Sequence, residues 1–488
     1  MHTKFCVGRP RVASLVAVAL LVAAQAVFAQ LPPPPQPPAY TIKNLGTLCV
    51  PTPELGCELD YSFARDLNNL GQVVGGSSIV QNLDDVLIQL VTGAFRTGAG
   101  QPINPSTDLL HSVFAEGTAF GINDSAGVVG TVATTGSPSR GFIVPGNGPL
   151  SLLPGAFICN FGFAPFCTAA FGINNSGTVV GSFVMTLAPP FQWHAARWTS
   201  VLQDLGGGQS TAYAINDFGL TVGLSHEGVD RRAVVFAGPS PISLGTLGGS
   251  ACDSCDSVAY GVNNGGATDP TSRSTARIVG ESSLTPTGPH HAFLYQLGPG
   301  SLGMQDLGTL GAEGDCDSTA FDINDVGHIV GESEIEPSVT RAFLYKNNQM
   351  VDLNTVLGPA DQAAWELLEA RAINDLGQIV GTGQFQGRPR AFLMTPPLSL
   401  IFDNVSQLVA INLSGQAPGT RLSLAALLNA AQASIERGQA EVAGLQLNAY
   451  EEEVRALIRG RSLTEIQAAK LLAGATLIRR VMEEERRR

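Results

Sequence analysis

Histidine, positive charge and long apolar runs are scarce in this chain, and each shortage removes a class of function. Seven histidines occur in 488 residues. Those beyond the N-terminus, His111, His194, His226, His290, His291 and His328, form no His-Glu-x-x-His pair, and neither a Gly-x-Ser-x-Gly nucleophile turn nor a phosphate-cradling Walker pattern occurs. Lys plus Arg number 28 against 41 Asp plus Glu. Between residues 30 and 400 the count is 14 against 31, and from 401 onward it is 11 against 10. Nucleic-acid backbones and anionic lipid surfaces would be repelled by so acidic a main region, so neither is an expected partner. Its acidity reads as the solubility of a secreted surface.

Only the N-terminus is strongly apolar. Lys4, Arg9 and Arg11 precede an apolar run over 12–22, and Val27-Phe28-Ala29 puts small or aliphatic residues at cleavage-site positions. This pattern predicts a signal peptide over 1–29, removed before Gln30, leaving a secreted extracellular or periplasmic protein with no membrane span. A membrane anchor is the alternative, but the run is short for one. Residues 30–39 are rich in proline and read as a stiff extended spacer.

Seven cysteines follow Cys6. Cys49 with Cys57, and Cys159 with Cys167, are each eight residues apart and are expected to form local disulfides in an oxidising compartment. Cys252, Cys255 and Cys316 leave two options open, a Cys252–Cys255 bridge or one between neighbouring repeats. No second paired-cysteine motif or nearby histidine completes a zinc site.

What the chain has in abundance is repetition. An aliphatic residue, Asn, a turn and then Val-Val-Gly or its equivalent recur at Asn68, Asn123, Asn174, Asn216, Asn263, Asn324 and Asn374, with spacings of 55, 51, 42, 47, 61 and 50 residues. Those periods suit one propeller blade. In the clearest copy, Ala342-Phe343-Leu344-Tyr345, a turn at Lys346-Asn347-Asn348 and Gln349-Met350-Val351-Asp352-Leu353 form one hairpin. Asn374-Asp375-Leu376-Gly377 turns a second hairpin, where Asn bonds its own backbone and Gly supplies positive φ; Gly327 holds the same place one repeat earlier. The expected fold is mainly β, a seven-bladed β-propeller of four-stranded blades over 40–397; a β-solenoid or paired sandwiches are the alternatives. The last Ala-Phe strand, 391–394, has no successor and the first Asp-Leu-Gly-like strand, 40–46, has no predecessor, so the two are expected to pair and close the ring.

His291-Ala292-Phe293, Asp306-Leu307-Gly308-Thr309-Leu310-Gly311 and Ile323-Asn324-Asp325 resemble the extracellular HAF repeat of bacterial secreted proteins, though only one copy carries the histidine. That resemblance implies no catalytic residue.

After Pro397 the periodicity becomes helical. Helices are expected over 422–437 and 440–459, and a third after a capping-box pattern at Ser462-Leu463-Thr464-Glu465, with a short leading helix near 408–413. Residues 401–482 therefore read as a small all-α bundle, and 483–488 as a charged, solvated tail. Ile435-Glu436-Arg437-Gly438, Leu445-Gln446-Leu447-Asn448-Ala449-Tyr450 and Leu463-Thr464-Glu465-Ile466-Gln467-Ala468-Ala469 resemble the FIMAH domain, which implies an accessory module rather than an active site.

No cofactor is expected. Asp253, Asp256, Asp315, Asp317, Asp322 and Asp325 offer oxygen ligands for a structural calcium ion but lack a dedicated calcium-loop spacing, so a turn or solvated role is the simpler reading. The recurring asparagines read as structural turn residues, and Phe293, Tyr295, Phe343, Tyr345 and Phe392 as core. Trp193 and Trp198, flanking His194, could stack a sugar. The functional expectation is a secreted binding or scaffold protein for an extracellular protein or glycan. The alternative is a polysaccharide hydrolase or lyase with its site at the propeller mouth, which requires convergent ionisable residues there.

Overall fold

The computed structural model describes residues 39–487, except for 51–56, 58–59, 84–86, 112–114, 135–136, 156–166, 186–191, 229, 239, 250–251, 253, 266–274, 299–300 and 313–314. Seven antiparallel sheets follow one another as blades of a β-propeller. Their innermost strands are Ser62–Leu67, Ala115–Ile122, Thr168–Ile173, Ser210–Ile215, Ser257–Val262, Ser318–Ile323 and Trp365–Ile373. Among the described residues six blades have four strands and the first has three, with a lone bridge from Phe95 to Leu109 at the fourth position.

Closure uses the two orphan strands. Thr41–Asn44 adds to Arg388–Thr395 in antiparallel register, from Thr41 opposite Thr395 to Asn44 opposite Phe392. Both chain ends of the propeller thus share the seventh blade, and no open sheet edge is left between first and last blades.

Cores form between blades. Val279 and Ala292 of the fifth blade pack against Ala320, Ile323, Ile329 and Phe343 of the sixth. Serine hydroxyls latch four of the blades to the one before. Ser62, Ser210, Ser257 and Ser318, at the starts of inner strands, accept from the backbone N–H of Ala391, Ala195, Ala233 and Ala292 at 2.8–3.0 Å and donate to the carbonyls of Gly46, Gly206, Gly245 and Gly308. The alanine of the His-Ala-Phe phrase and the glycine of the Leu-Gly phrase meet on one hydroxyl, a reason for both to recur. His291 Nδ1 is 2.9 Å from the Asp306 carboxylate, joining the other two phrases.

Each second hairpin turns at its asparagine. Gly327 has φ +96°, and its N–H donates to Asn324 O at 3.0 Å. Gly327→Val is expected to cost about 1–3 kcal/mol, because a β-branched residue is strained at positive φ; a lowered melting temperature checks this. In the second blade Ala126 occupies the equivalent place with φ 60°. Ala126→Gly is expected to relieve roughly 1 kcal/mol of left-handed strain and raise the melting temperature.

Beyond the propeller lie four helices: α1 (Leu398–Asn412), α2 (Pro418–Glu436), α3 (Ala440–Arg459) and α4 (Glu465–Arg487). They share one core through Leu408, Leu424, Leu428, Leu447, Tyr450, Leu471 and Ile478. The sequence expectation differs in four places. α1 is a full 15-residue helix rather than a short leader, since its face at Ile401, Phe402 and Val405 is buried as well. α2 begins at Pro418, where a proline at the first position loses no helical hydrogen bond. The capping box of α4 is Thr464 with Gln467: Gln467 N donates to Thr464 Oγ1 and Thr464 N to Gln467 Oε1. Residues 483–487 continue α4, with Arg487 and Glu483 paired one turn apart at 3.6 Å.

Candidate functional site

The seven recurring asparagines converge on the propeller axis. Each donates through Nδ2 to the backbone carbonyl of the next: Asn68 to Asn123, Asn123 to Asn174, Asn174 to Asn216, Asn216 to Asn263, Asn263 to Asn324, Asn324 to Asn374, and Asn374 back to Asn68, all at 2.9–3.1 Å. Meanwhile Oδ1 caps the local turn, as where Asn374 accepts from the N–H of Leu376 and Gln378. One side chain therefore closes its own hairpin and ties its blade to the next, which needs both a donor and an acceptor on a short stem. The seven bonds form a complete circle.

A second circle lies beside the first. It consists of Asn69, Asp124, Asn175, Asp217, Asn264, Asp325 and Asp375, each donating its backbone N–H to Oδ1 of the next at 2.8–3.0 Å. Four of the seven are acids. Lys470, from the second turn of α4, points into this circle and meets Asp325 at 2.5 Å, Asp375 at 3.1 Å and Asp217 at 3.7 Å. A cavity of about 180 Å³ under the lysine is lined by the ring residues and by aliphatic side chains such as Ile122, Ile215 and Ile373.

Charge and burial set the electrostatics. Burial pulls the Lys470 pKa down, but Asp325, Asp375, Asp217 and Asp124 together raise it well above the usual lysine value. Burial also pushes Asp325 up, yet the charge and hydrogen bond of Lys470, with bonds from Asn264, hold it below the ordinary carboxylate value. Asp375 is pushed up to about 6 by burial and by the neighbouring Asp325 charge, against the pull of Lys470. The helical region is thereby seated on this end of the channel. Asn404 Nδ2 donates to Leu376 O in the last ring turn at 3.0 Å, and Leu376 itself belongs to the helical core.

Three residues before each ring asparagine stand Arg65, Phe120, Phe171, Tyr213, Tyr260, Phe321 and Arg371. Every one falls at a β-bulge, where the inner strand carries one residue more than its partner. The bulges turn these side chains toward one another across blade boundaries. Ring centroids are 5.4 Å apart for Phe120 and Phe171, 5.4 Å for Phe171 and Tyr213, 5.3 Å for Tyr213 and Tyr260, and 5.9 Å for Tyr260 and Phe321. The Arg371 guanidinium lies 3.8 Å over Phe321. An aromatic and arginine collar thus lines the channel, one layer away from the stoppered ring.

The other sequence candidates are distributed. Cys49–Cys57 and Cys252–Cys255 are disulfides, so the second takes the local pairing rather than a bridge from Cys255 to the adjacent blade. Cys159 lies outside the described residues, while Cys167 and Cys316 are buried. The calcium candidates do not converge. Asp253 is outside the described residues, Asp256 is held by Arg231, Asp317 accepts from His290 N, Asp322 accepts from Ile323 N and Ile373 N, and Asp325 holds Lys470. Asp315 sits in a turn. Among the described residues no group of three or more His, Cys, Asp or Glu side chains is arranged to hold a metal ion. Trp198 is 2% exposed and donates to Pro154 O, which makes it core rather than a stacking platform. Gly377 packs near Asn404 at the helical interface.

Lys470 and the collar escaped the sequence reading, although both left signals. The chain has four lysines, and Lys470 is the sole one after residue 346; the collar is visible as an aromatic or Arg three residues before each Asn.

The arrangement defines a seven-bladed propeller whose axis is stoppered at one end by a lysine and lined by a collar behind it. No family model and no curated protein matches the chain. A solved structure of a mutant Aleuria aurantia lectin in complex with α-methyl-L-fucoside is similar at a TM-score of 0.26 and 8% identity, over 69% of this chain and 94% of the lectin. So distant a likeness carries no argument about ligand. Among the described residues no helix is long and apolar enough to cross a membrane.

Proposed function

We propose that this chain is a secreted binding protein of the HAF-repeat kind, with a FIMAH-like helical module, that takes an extracellular protein or glycan at the propeller mouth opposite Lys470. The supporting observation is the asymmetry of the channel: one end is filled by the chain's own lysine, and the collar lies on the other side of the asparagine ring. The disulfide-bearing loops, at Cys49–Cys57 and just before Ser257, belong to that opposite end and suit an oxidising compartment. Acidity still argues against a nucleic-acid partner, and removal of residues 1–29 would leave no membrane span.

Hydrolysis at the stoppered end is disfavoured because the shifted carboxylates of the ring are engaged. Asp325 and Asp375 are clamped to Lys470 beneath α4, where a polymer substrate has no access. The helical module acts here as a stopper fixed to the propeller.

Two measurements test this. N-terminal sequencing of the protein recovered from its native medium or envelope should begin at Gln30; an intact Met1 would contradict secretion by signal cleavage. Capture by the immobilised mature chain, from native medium and on a glycan array, should fall at least tenfold in a Phe171→Leu, Tyr213→Leu variant that keeps its melting temperature within a few degrees. Capture indifferent to the collar would remove this mouth as the binding end.

A further inference from the structure

Where the inner strands begin, at the end opposite Lys470, the fifth and sixth blades leave a recess of about 250 Å³ between them. Its walls carry the carboxyl groups of Glu281, Asp317, Glu332 and Glu334 against one guanidinium, Arg231. His290 and a few serines and threonines complete it, and among the described residues no apolar side chain lines it. Direct bonds hold the walls together. His290 N donates to Asp317 Oδ1 at 2.8 Å, Asp317 N to Glu334 Oε2 at 3.1 Å, and Thr319 Oγ1 to Glu281 at 2.8 Å, with Glu332 opposite Thr319 in the sheet. Arg231 is turned to Asp256, which it meets at 3.0 Å through two guanidinium nitrogens. The four carboxyls are therefore left without a cation of their own.

Two groups in these walls are unused by the fold. Among the described residues, His290 Nε2 is buried without a hydrogen-bond partner. No hydrogen bond from a described residue reaches the Glu332 carboxyl, which burial first, and then the charges of Glu369 and Glu281, hold above its ordinary value against the pull of Arg371 and Arg65. A buried polar atom left unsatisfied is costly, and crowded carboxyls disfavour one another's charged form. A bound cation with several donors relieves both. A metal ion does not suit the walls, because among the described residues no three acid or imidazole groups are arranged to share one; the donors have to be spread, as N–H and O–H groups are.

We propose that this recess binds an amino sugar, its ammonium on Glu332 and Glu281 and the neighbouring hydroxyl on His290 Nε2, with further units of the chain reaching the collar past Tyr260, whose Oη donates to Glu281 at 3.1 Å. This rests on the reading that the end opposite Lys470 is the binding end. The walls favour a sugar over other amines: the apolar stem of a lysine or an alkylamine gains nothing from a wholly polar recess, whereas a sugar carries hydroxyls beside the amine. A hydroxyl both donates and accepts, so it suits His290 whichever ring nitrogen holds the proton. Uronic and sulfated sugars would be repelled by the four carboxyls, and N-acetylation removes the charge that they attract.

The test uses the mature full chain on an array of free-amine oligosaccharides, their N-acetylated counterparts, neutral and uronic oligosaccharides and lysine oligopeptides, at physiological ionic strength, followed by titration calorimetry with the free-amine oligosaccharides. Wild type is expected to retain the free-amine sugars at least tenfold more tightly than any other class. Glu332→Gln should weaken that binding tenfold or more and His290→Ala about threefold or more, as loss of a charged and a neutral partner respectively, with the melting temperature unchanged within a few degrees. Glu116→Gln, at an exposed acid near the start of the second blade's inner strand, should change it by no more than about twofold. Equal retention of N-acetylated or neutral sugars, equal retention of lysine peptides, affinity unaltered by both recess variants, a loss in Glu116→Gln matching that in Glu332→Gln, or no sugar retained at all would each overturn the inference. If in the last case a native protein is captured and lost in the Phe171→Leu, Tyr213→Leu variant, the amino-sugar inference fails while the binding function stands; capture indifferent to that variant fails both.

Discussion

Lys470→Met should destabilise the protein by about 3–5 kcal/mol at neutral pH, the range expected when one partner of a buried ion pair is removed. Methionine keeps the length of the side chain but leaves Asp217, Asp325 and Asp375 facing one another without a cation. Measured by thermal unfolding, the deficit should depend on pH in a definite direction. In the wild type Asp325 is held below its ordinary value, so the stability it contributes is present above about pH 4 and lost as pH falls through its folded pKa. Asp375, raised to about 6, acts in the opposite sense: its folded state gains stability as pH falls from about 6 toward 4, because the native protein takes up the proton first. Without Lys470 all of these carboxyls shift upward, so the gap between variant and wild type should be widest near pH 7 and narrow toward pH 4. Adding Asp325→Asn and Asp375→Asn should recover much of the loss. A gap of less than about 1 kcal/mol at pH 7 would show that the lysine merely decorates the ring. Because Lys470 also anchors α4, proteolysis of the helical region should accelerate in the single variant.

Gly331→Ala is the second large effect, expected at roughly 3 kcal/mol or more, the upper end for overpacking, because it is backbone that must move. A Cβ at Gly331 would stand 1.9 Å from the carbonyl oxygen of Thr319. The same close approach recurs in every blade, at 2.0 Å for Gly75, 2.1 Å for Gly130 and 1.9 Å for Gly181, Gly223, Gly280 and Gly381. The cause is the bulge that projects the collar residue, since it presses the inner-strand backbone against the second strand just where the glycine lies. Gly238→Ala, with nothing within 4 Å of its added carbon, is the control and should change stability by no more than about 0.5 kcal/mol. Equal melting temperatures for the two variants would refute the close-packing account. Gly327→Val should fall between them, being chiefly a matter of φ, since the added carbon meets only the end of the flexible Arg277 side chain.

The repeated grammar made the fold legible because each phrase encodes a local act. Asn and Gly close a hairpin, alternating apolar residues supply a sheet with two buried faces, and an orphan strand at each end calls for a partner. The ring of asparagine bonds was only half legible: the turn role follows from Asn-Asp-x-Gly, but the Nδ2 bond to the next blade needs residues 42 to 61 positions apart, and 306 apart where the ring closes, to come together on an axis. The acids offered as calcium ligands do not share one place: Asp256 and Asp317 precede the inner-strand serines of neighbouring blades, whereas Asp322 and Asp325 lie toward the other end of the sixth blade's inner strand and in its turn, each committed to a different donor. Trp198 read as a platform for a sugar because its burial depends on packing from outside its own strand, including the Pro154 carbonyl that its indole reaches.

By itself, then, the amino-acid order determined seven blades, their turns, the strand exchange that seals the circle, and a helical segment after Pro397, all of which arise from contacts between near neighbours or from exact repetition. Tertiary structure alone decided that Lys470 enters the acidic circle, that five aromatics and two arginines assemble a collar, and that Val-Val-Gly must end in glycine. Those features come from side chains on separate blades meeting at an axis, where the energy lies in burial and charge across distances that no local spacing records.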